Sequence, residues 1–167
     1  MIEPIWLTKA RADIGIRETP GRETTPAIRK WLLDLGAWWT DDETAWCGVA
    51  VGHWMQAAGI DRPKAWYRAQ AWLDWGYRLP RPVAGAVVVF DRGGGKGHVG
   101  LAVGRTNADE LLVLGGNQRD QVSIVPIESK RLLGSRWPTG HVADWGWHLD
   151  SFLPLLASTG PVSRNEA

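Results

Sequence analysis

The residues most able to do chemistry are a single cysteine and the histidines that could serve it as a base. Cys47 is the one cysteine among 167 residues, so no disulfide can form within the chain. It falls just inside the start of a helix predicted from Thr44 to Ala58, where unpaired backbone N–H groups and the helix dipole favour a thiolate. This position predicts a lowered thiol pKa and a nucleophile near neutral pH. A lone cysteine on an apolar helix face is also common core packing, so the case for reactivity depends on a base.

His98 is the best-placed base for this thiol. It follows the glycine-rich stretch 93–97 and begins a predicted strand. The residues that share its face on that strand are small: Gly100, Ala102 and Gly104. We expect this floor of small residues to leave room for a substrate. His53 lies six residues after Cys47 and is rotated about 240° around the helix, so it points away from the thiol.

A thiol–imidazole pair commonly uses a third side chain, which accepts a hydrogen bond from the far ring nitrogen and fixes the tautomer. Asn117 ends the strand that should lie beside the His98 strand, and it is the first choice for this role. The sequence Gly-Gly-Asn is also ordinary turn chemistry. The alternatives for the same role are Gln118, Asp120 and Glu110.

The elements that position these residues divide into a helical first half and a strand-rich second half. Helices are predicted over 4–14, 26–36, 44–58 and 65–75, each ending at or next to a glycine. Short β-branched or alternating runs over 86–90, 98–103, 111–114 and 122–125 are typical of an antiparallel meander. Helices followed by strands predict an α+β fold with segregated layers. We expect one domain over residues 1–157 and a flexible tail over 158–167.

Composition and charge exclude several classes of function. The chain has 44% hydrophobic and 22% charged residues, as ordinary soluble globular proteins do. Its formal net charge is +1, which gives no electrostatic case for nucleic-acid binding. No apolar run approaches the ~20 residues of a membrane-spanning helix, and no signal peptide is recognisable, which predicts synthesis in the cytoplasm. No metal or other cofactor is expected, because Asp41, Asp42 and Glu43 are interpreted as capping residues of the next helix.

Four phrases in this order resemble the CHAP cysteine amidohydrolases and peptidases and their NlpC-like relatives. They are residues 42–47 (DETAWC), 82–90 (PVAGAVVVF), 97–100 (GHVG) and 115–118 (GGNQ). The resemblance runs from about Ile5 to Pro138, and it is greatest to the small single-domain branch found in bacteriophage lysis genes and prophages. It implies a papain-like fold, with the cysteine at a helix N-terminus packed against a C-terminal antiparallel sheet. It also implies hydrolysis of an amide bond in peptidoglycan by Cys47, His98 and Asn117.

The same resemblance implies a phage-type endolysin. Such an enzyme cuts either the bond between N-acetylmuramic acid and L-alanine or a bond within the stem peptide. We expect a monomer that needs no stable membrane association and reaches the periplasm and cell wall through a membrane lesion made by a holin. Two alternatives stay open. One is a bacterial antagonism toxin with the same chemistry, and the other is a catalytically silent wall-binding domain.

The chain holds 12 tryptophans, several times the usual share. Aromatic side chains are first of all core material, and we expect most of these to be buried. Those nearest the nucleophile are the candidates for a substrate groove, together with Gln118: Trp46, Trp39 and Trp38. An amphipathic C-terminal helix is also possible over residues 144–156.

Overall fold

The computed structural model describes residues 3–21, 23–141, 153–157 and 160–164. Within these ranges the fold is α+β, with three short α-helices, two 3₁₀ helices and a six-stranded antiparallel sheet. The α-helices are α1 (Ile5–Ala12), α2 (Pro26–Asp34) and α3 (Cys47–Ala57). The strands are β1 (Tyr77–Arg78), β2 (Val87–Gly93), β3 (Lys96–Arg105), β4 (Glu110–Gly115), β5 (Ser123–Glu128) and β6 (Leu132–Trp137). The 3₁₀ helices are Ala69–Asp74 and Ser129–Arg131.

The three helices form where the sequence predicts them, and α3 is the central one. Helix α2 begins with Pro26, whose fixed φ suits a first helical position, and it buries Ile28, Trp31 and Leu32 on one face. Helix α3 buries residues on all sides because α1, α2 and the sheet all pack against it. The first residue of this central helix is Cys47, so its position is fixed by packing on several sides.

The predicted fourth helix, over 65–75, is wrong in type and length. Only Ala69–Asp74 is helical, and it is a 3₁₀ helix. The backbone before it makes tertiary contacts instead. The carbonyl of Trp66 accepts a hydrogen bond from the indole N–H of Trp72 at 3.0 Å, and the same backbone packs against Gly48. A regular α-helix would use that carbonyl in its own hydrogen-bond ladder.

The sheet has the strand order β1-β6-β2-β3-β4-β5. Strands β2 to β5 form the predicted meander, with Phe90 opposite His98 and Leu101 opposite Leu114. Strands β1 and β6 were not predicted. Strand β6 returns to pair with the free edge of β2, and β1 lies outside it, so β2 and β3 are interior strands.

Both faces of the sheet are covered. One face belongs to the core that the helices share, which includes Val87, Val89, Val99 and Leu101. The alternate positions along the same strands belong to a second cluster, which includes Val88, Phe90, Ala102 and Val113. Leu153 from the C-terminal segment packs into this second cluster. The backbone of Arg105 exchanges hydrogen bonds with Pro154 and Leu156, each at 2.9 Å.

The end of the chain makes one buried contact with the sheet. Ser163 is buried, and its N–H donates to the carbonyl of Pro126 at 2.8 Å. Of the predicted helix over 144–156, residues 142–152 lie outside the described residues, and Leu155 forms an isolated bridge with Arg105 rather than part of a helix. No helix in the described ranges is long and apolar enough to cross a membrane.

Candidate active site

Cys47 is the first residue of α3 and is only 5% exposed. The residue before it, Trp46, occupies the N-cap position and caps the helix without a side-chain hydrogen bond. The expectation that the preceding acidic residues cap α3 is wrong. Asp41 Oδ1 accepts from the backbone N–H of Thr44 at 3.2 Å, and Asp42 Oδ2 accepts from that of Thr25 at 2.9 Å. These carboxylates organise the loop before the helix instead.

The predicted lowering of the Cys47 pKa is also wrong. Burial raises the pKa of this thiol above its ordinary value, although the backbone N–H groups of Val99 and Gly48 and the positive charge of Arg92 act in the opposite direction. The loss of solvation of a buried thiolate exceeds the benefit of the helix N-terminus. The thiol is therefore protonated at neutral pH and needs a base before it can act as a nucleophile.

His98 is fully buried on β3, and its ring is held by Gln118. The distance between His98 Nε2 and Gln118 Oε1 is 2.9 Å. The amide nitrogen of Gln118 donates to the carbonyl of Val113 at 3.2 Å and to that of Ser123 at 2.5 Å. Because both amide hydrogens go to carbonyl groups, the atom that faces the ring is the amide oxygen, which can only accept. His98 Nε2 must then carry the hydrogen, and Nδ1 carries the lone pair.

The side chain that the structure places against the imidazole is Gln118, one of the alternatives, rather than the first choice, Asn117. Asn117 is buried in the turn after β4 with φ +56°, a conformation that asparagine tolerates better than most residues. Asp120 lies in the same turn with φ +60°, and Glu110 accepts from Thr106 Oγ1 at 2.8 Å, at the other end of β4.

The Cys47 thiol lies beside the backbone that carries His98, near the end of β4. The N–H of Val99, the residue after His98, acts on the Cys47 thiol, and the β3–β4 register begins only at Leu101–Leu114. The thiol therefore lies against the part of β3 that extends past β4. The four elements that build the site are α3, β3, the end of β4 and the turn that follows it.

Two glycines allow this close approach, and the sequence analysis treated them only as turn residues. A Cβ on Gly115 would lie 3.1 Å from His98 Nε2 and 2.7 Å from Gln118 Oε1. A Cβ on Gly116 would lie 2.5 Å from the Cβ of Ala50 and 2.7 Å from a ring carbon of Trp46. The pair lets β4 end against the imidazole and the first turns of α3 at once. Adjacent glycines between a strand and a candidate site residue are the signal that could have shown this packing.

The expected substrate space over small strand residues is filled by protein. A Cβ on Gly100 would lie 2.6 Å from Val113 Cγ1, and one on Gly104 would lie 2.9 Å from Leu156 Cδ1. These glycines make room for neighbouring side chains rather than for a ligand. An open cleft of about 550 Å³ lies elsewhere, and its lining residues are Ala45, Arg68, Ala69, Gln70, Arg92, Gly95, Lys96 and Gly97. Its walls come within two residues of Cys47 and one residue of His98.

The three predicted groove tryptophans differ in position. Trp46 is fully buried, with its indole N–H donating to Glu18 Oε2 at 3.0 Å, so its assignment to a groove is wrong. Trp38 is 74% exposed and meets Tyr67 edge-on, with ring centroids 4.8 Å apart. Trp39 is partly buried and stacks on Trp66 at 5.8 Å. Trp38 and Trp39 thus lie beside the segment that leads into the cleft at Arg68.

Gln118, which the sequence analysis assigned to substrate binding, is fully buried. Its side chain is used in contacts with His98, Val113 and Ser123, so its place in the site is behind the imidazole.

His53 points away from the site, as predicted. Its ring stacks on Trp31 with centroids 4.7 Å apart, and its Nε2 lies 3.7 Å from Asp13 Oδ2. Burial lowers the pKa of His53, while the charge of Asp13 raises it. This histidine belongs to the packing between α2 and α3.

A scan against protein-family models and searches of curated proteins and of solved structures found no match. The interpretation of the site therefore rests on the contacts described above.

Proposed function

We propose that this protein is a cysteine amidohydrolase that cuts an amide bond of peptidoglycan. Cys47 is the nucleophile, His98 is the general base and Gln118 positions the imidazole. The observation that carries the proposal is the 2.9 Å contact between His98 Nε2 and Gln118 Oε1. It assigns the hydrogen to Nε2 and so leaves the Nδ1 lone pair to serve the thiol.

In the first step, Cys47 gives its thiol proton to His98 Nδ1 as its sulfur attacks the amide carbonyl carbon. The carbonyl oxygen becomes an oxyanion. The imidazolium then protonates the leaving nitrogen as the C–N bond breaks, which gives an amine and a thioester. Water, deprotonated by the same nitrogen, attacks the thioester and releases the carboxylic acid and the thiol. The backbone N–H of Cys47 at the start of α3 is the first donor for the oxyanion.

The raised pKa of Cys47 decides how the first step proceeds. A thiol that is protonated at neutral pH does not form a stored thiolate–imidazolium pair. Proton transfer to His98 therefore accompanies attack on the carbonyl, as in general-base catalysis. Arg92 and the N–H groups of Val99 and Gly48 stabilise the negative charge on sulfur as it develops.

Peptidoglycan is supported as the substrate by two features. The four ordered phrases that resemble CHAP and NlpC-like enzymes enclose Cys47, His98 and Gln118, and a papain-like arrangement agrees with a cysteine at a helix start beside an antiparallel sheet. The exposed ring of Trp38, braced by Tyr67, offers a surface on which a sugar ring can stack. We assign the protein to phage-type endolysins that act as monomers in the cell wall after a holin opens the membrane.

Digestion of purified peptidoglycan tests this function. Cys47→Ala should lower the rate of wall clearance by on the order of 10³-fold or more, because no other group in the site can form the thioester. Lys9→Gln, a change on the exposed face of α1, is the control and should digest at the wild-type rate. Mass spectrometry of the released muropeptides identifies the bond that is cut. A Cys47→Ala protein that clears peptidoglycan as fast as wild type contradicts the proposal.

A catalytically silent wall-binding domain is the second candidate. It is favoured by the burial and raised pKa of Cys47, which also describe an inert core cysteine. Such a domain would sediment with peptidoglycan through the Trp38 surface, and its wild-type form would release no muropeptides. The same digestion experiment thus separates the two candidates.

A further inference from the structure

The cleft beside the site carries a concentration of positive charge. Of the residues that line it, Arg68, Arg92 and Lys96 are cationic, and no Asp or Glu is among its described lining residues. The whole chain has a formal net charge of only +1, so this grouping is local. A cleft lined by one sign of charge concentrates ligands of the opposite sign.

The cations come from two separate elements. Arg92 and Lys96 flank the turn between β2 and β3, whereas Arg68 immediately precedes the 3₁₀ helix Ala69–Asp74. The two elements meet at Gly97, where a Cβ would lie 3.1 Å from Gln70 Cγ and 3.3 Å from Ala69 Cβ. The charges therefore surround a space between two walls, and its volume of about 550 Å³ is within the range of small-ligand sites.

The cleft also lies close to the proposed nucleophile. The charge of Arg92 acts on the Cys47 thiol, and Ala45 and Gly97 of the lining are neighbours of Cys47 and His98 in the chain. An anion bound in the cleft would thus be held a short distance from the amide under attack. A neutral peptide would bring no negative charge to this cationic cleft.

We propose that this cleft binds carboxylate groups of the stem peptide, so that the enzyme selects acidic stem peptides with free carboxylates close to the scissile amide. This inference rests on the proposed hydrolase function and adds the substrate class to it. Arginine suits the role because its planar guanidinium can donate two parallel N–H hydrogen bonds to the two oxygens of one carboxylate. Conversion of the carboxylates to amides removes the charge with little change in size.

Binding is measured with the Cys47→Ala protein, which cannot consume the probe. The probes are a synthetic stem tetrapeptide joined to N-acetylmuramic acid and the same molecule with its side carboxylates amidated. Calorimetry should give a dissociation constant roughly tenfold lower for the free-carboxylate form, as expected for charge-assisted hydrogen bonds. The difference should shrink as salt rises. Equal affinities for the two probes would overturn the inference.

Charge-removing variants locate the effect in the cleft. In the Cys47→Ala background, Arg68→Gln with Lys96→Met should bring the two affinities within about twofold, whereas the control Lys9→Gln should keep the tenfold preference. In wild-type protein, the ratio of kcat/KM for the two probes should show the same preference. Hydrolysis without a carboxylate preference overturns this inference alone. Absence of hydrolysis by the wild type, with or without binding, overturns the proposed function.

Discussion

His98 has no exposed surface, so protein atoms rather than water decide which of its nitrogens carries the proton. The tautomer of His98 is fixed by Gln118, and the orientation of Gln118 is fixed in turn by two further residues. Val113 and Ser123 present carbonyl oxygens to the Gln118 amide, which leaves only its oxygen to face the ring. Strands β4 and β5 thereby set the tautomer of a side chain on β3. An amide is suited to this position because it both donates and accepts, whereas a carboxylate would face the two carbonyl oxygens without a hydrogen.

We predict a loss of turnover when the Gln118 side chain is removed. Gln118→Ala should lower kcat by about 10²-fold, because the imidazole loses its fixed tautomer. Asn117→Gly is the matched control, since it removes the neighbouring amide while glycine adopts the same positive φ without strain. Its kcat should stay within about threefold of wild type. Kinetics on a defined muropeptide, with thermal melts of both variants, gives the comparison. A larger loss from Asn117→Gly would restore Asn117 as the orienting residue.

The sequence predicted Cys47 and His98 in one site, and the structure places the N–H of Val99, the residue after His98, on the Cys47 thiol. The side chain on the imidazole is Gln118, one position after the predicted Asn117. That choice depends on a turn in which Asn117, Arg119 and Asp120 all have positive φ, and no local pattern predicts three such residues in four. The direction of the Cys47 pKa shift was missed for a different reason. A helix position can be read from sequence, whereas the burial that outweighs it depends on contacts with β3 that form only in the fold.

At the scale of elements, the position of Cys47 depends on how closely the first turn of α3 can approach its neighbours. A Cβ on Gly48 would lie 2.5 Å from the carbonyl oxygen of Trp66 and 2.8 Å from the backbone of Tyr67. One turn further along, a Cβ on Gly52 would have ordinary contacts of 3.6 Å with Leu35 and Trp66. Gly48 is therefore needed for the close approach of another backbone segment, whereas Gly52 has room for a methyl group, although both lie in the same helix.

A pair of glycine-to-alanine substitutions in α3 separates packing from helix propensity. Gly48→Ala should lower the free energy of unfolding by about 1–3 kcal/mol, because backbone atoms must move to admit the methyl group. It should also reduce kcat, since the helix start that carries Cys47 shifts. Gly52→Ala should be neutral or raise stability by up to about 1 kcal/mol, as alanine favours a helix interior. Urea unfolding of both variants measures the difference. Equal stability changes in the two would show that Gly48 is not in close contact.

The helices and the meander were readable because their signals are local: a first-turn proline, terminal glycines and short β-branched runs. Strand β6 was not, because its register with β2 joins positions such as Arg136 and Val87 that are far apart in the chain. The 3₁₀ helix at Ala69–Asp74 was read as the end of a longer α-helix. Its shorter form follows from tertiary contacts of the preceding backbone with Trp72 and Gly48. Local sequence patterns therefore predict most of the elements, and long-range contacts decide where the structure differs from that prediction.

At the scale of the whole molecule, part of the C-terminal segment covers the sheet at a distance from the site. Cys47 belongs to the core that α3 shares with one face, whereas His98 lies opposite Phe90, a residue of the second cluster that this segment covers. Residues 153–157 join β3 at Arg105, seven residues after His98, which is roughly 23 Å along the strand. Arg131 strengthens this cover, since its guanidinium donates to the carbonyls of Asp91 and Ser163 at 3.0 and 3.1 Å. Residues 153–157 therefore contribute to stability far from His98 along β3, and a change in them should affect unfolding more than catalysis.

Two leucines in the C-terminal segment test this separation. Leu153 is 4% exposed in the second cluster, whereas Leu155, two residues on, is 50% exposed. Leu153→Ala should lower the free energy of unfolding by about 2 kcal/mol. This is at the low end of the cost of Leu→Ala at a buried position, because a segment near the end of a chain can partly detach. Leu155→Ala should cost less than about 0.5 kcal/mol. Both variants should keep wild-type kcat at temperatures well below Tm, since residues 153–157 join β3 at Arg105, seven residues from His98. Urea unfolding and muropeptide kinetics on the same preparations give both quantities. A fall in kcat for Leu153→Ala without unfolding would mean that packing at the Arg105 end of β3 affects His98, and the separation of stability from catalysis would have to be abandoned.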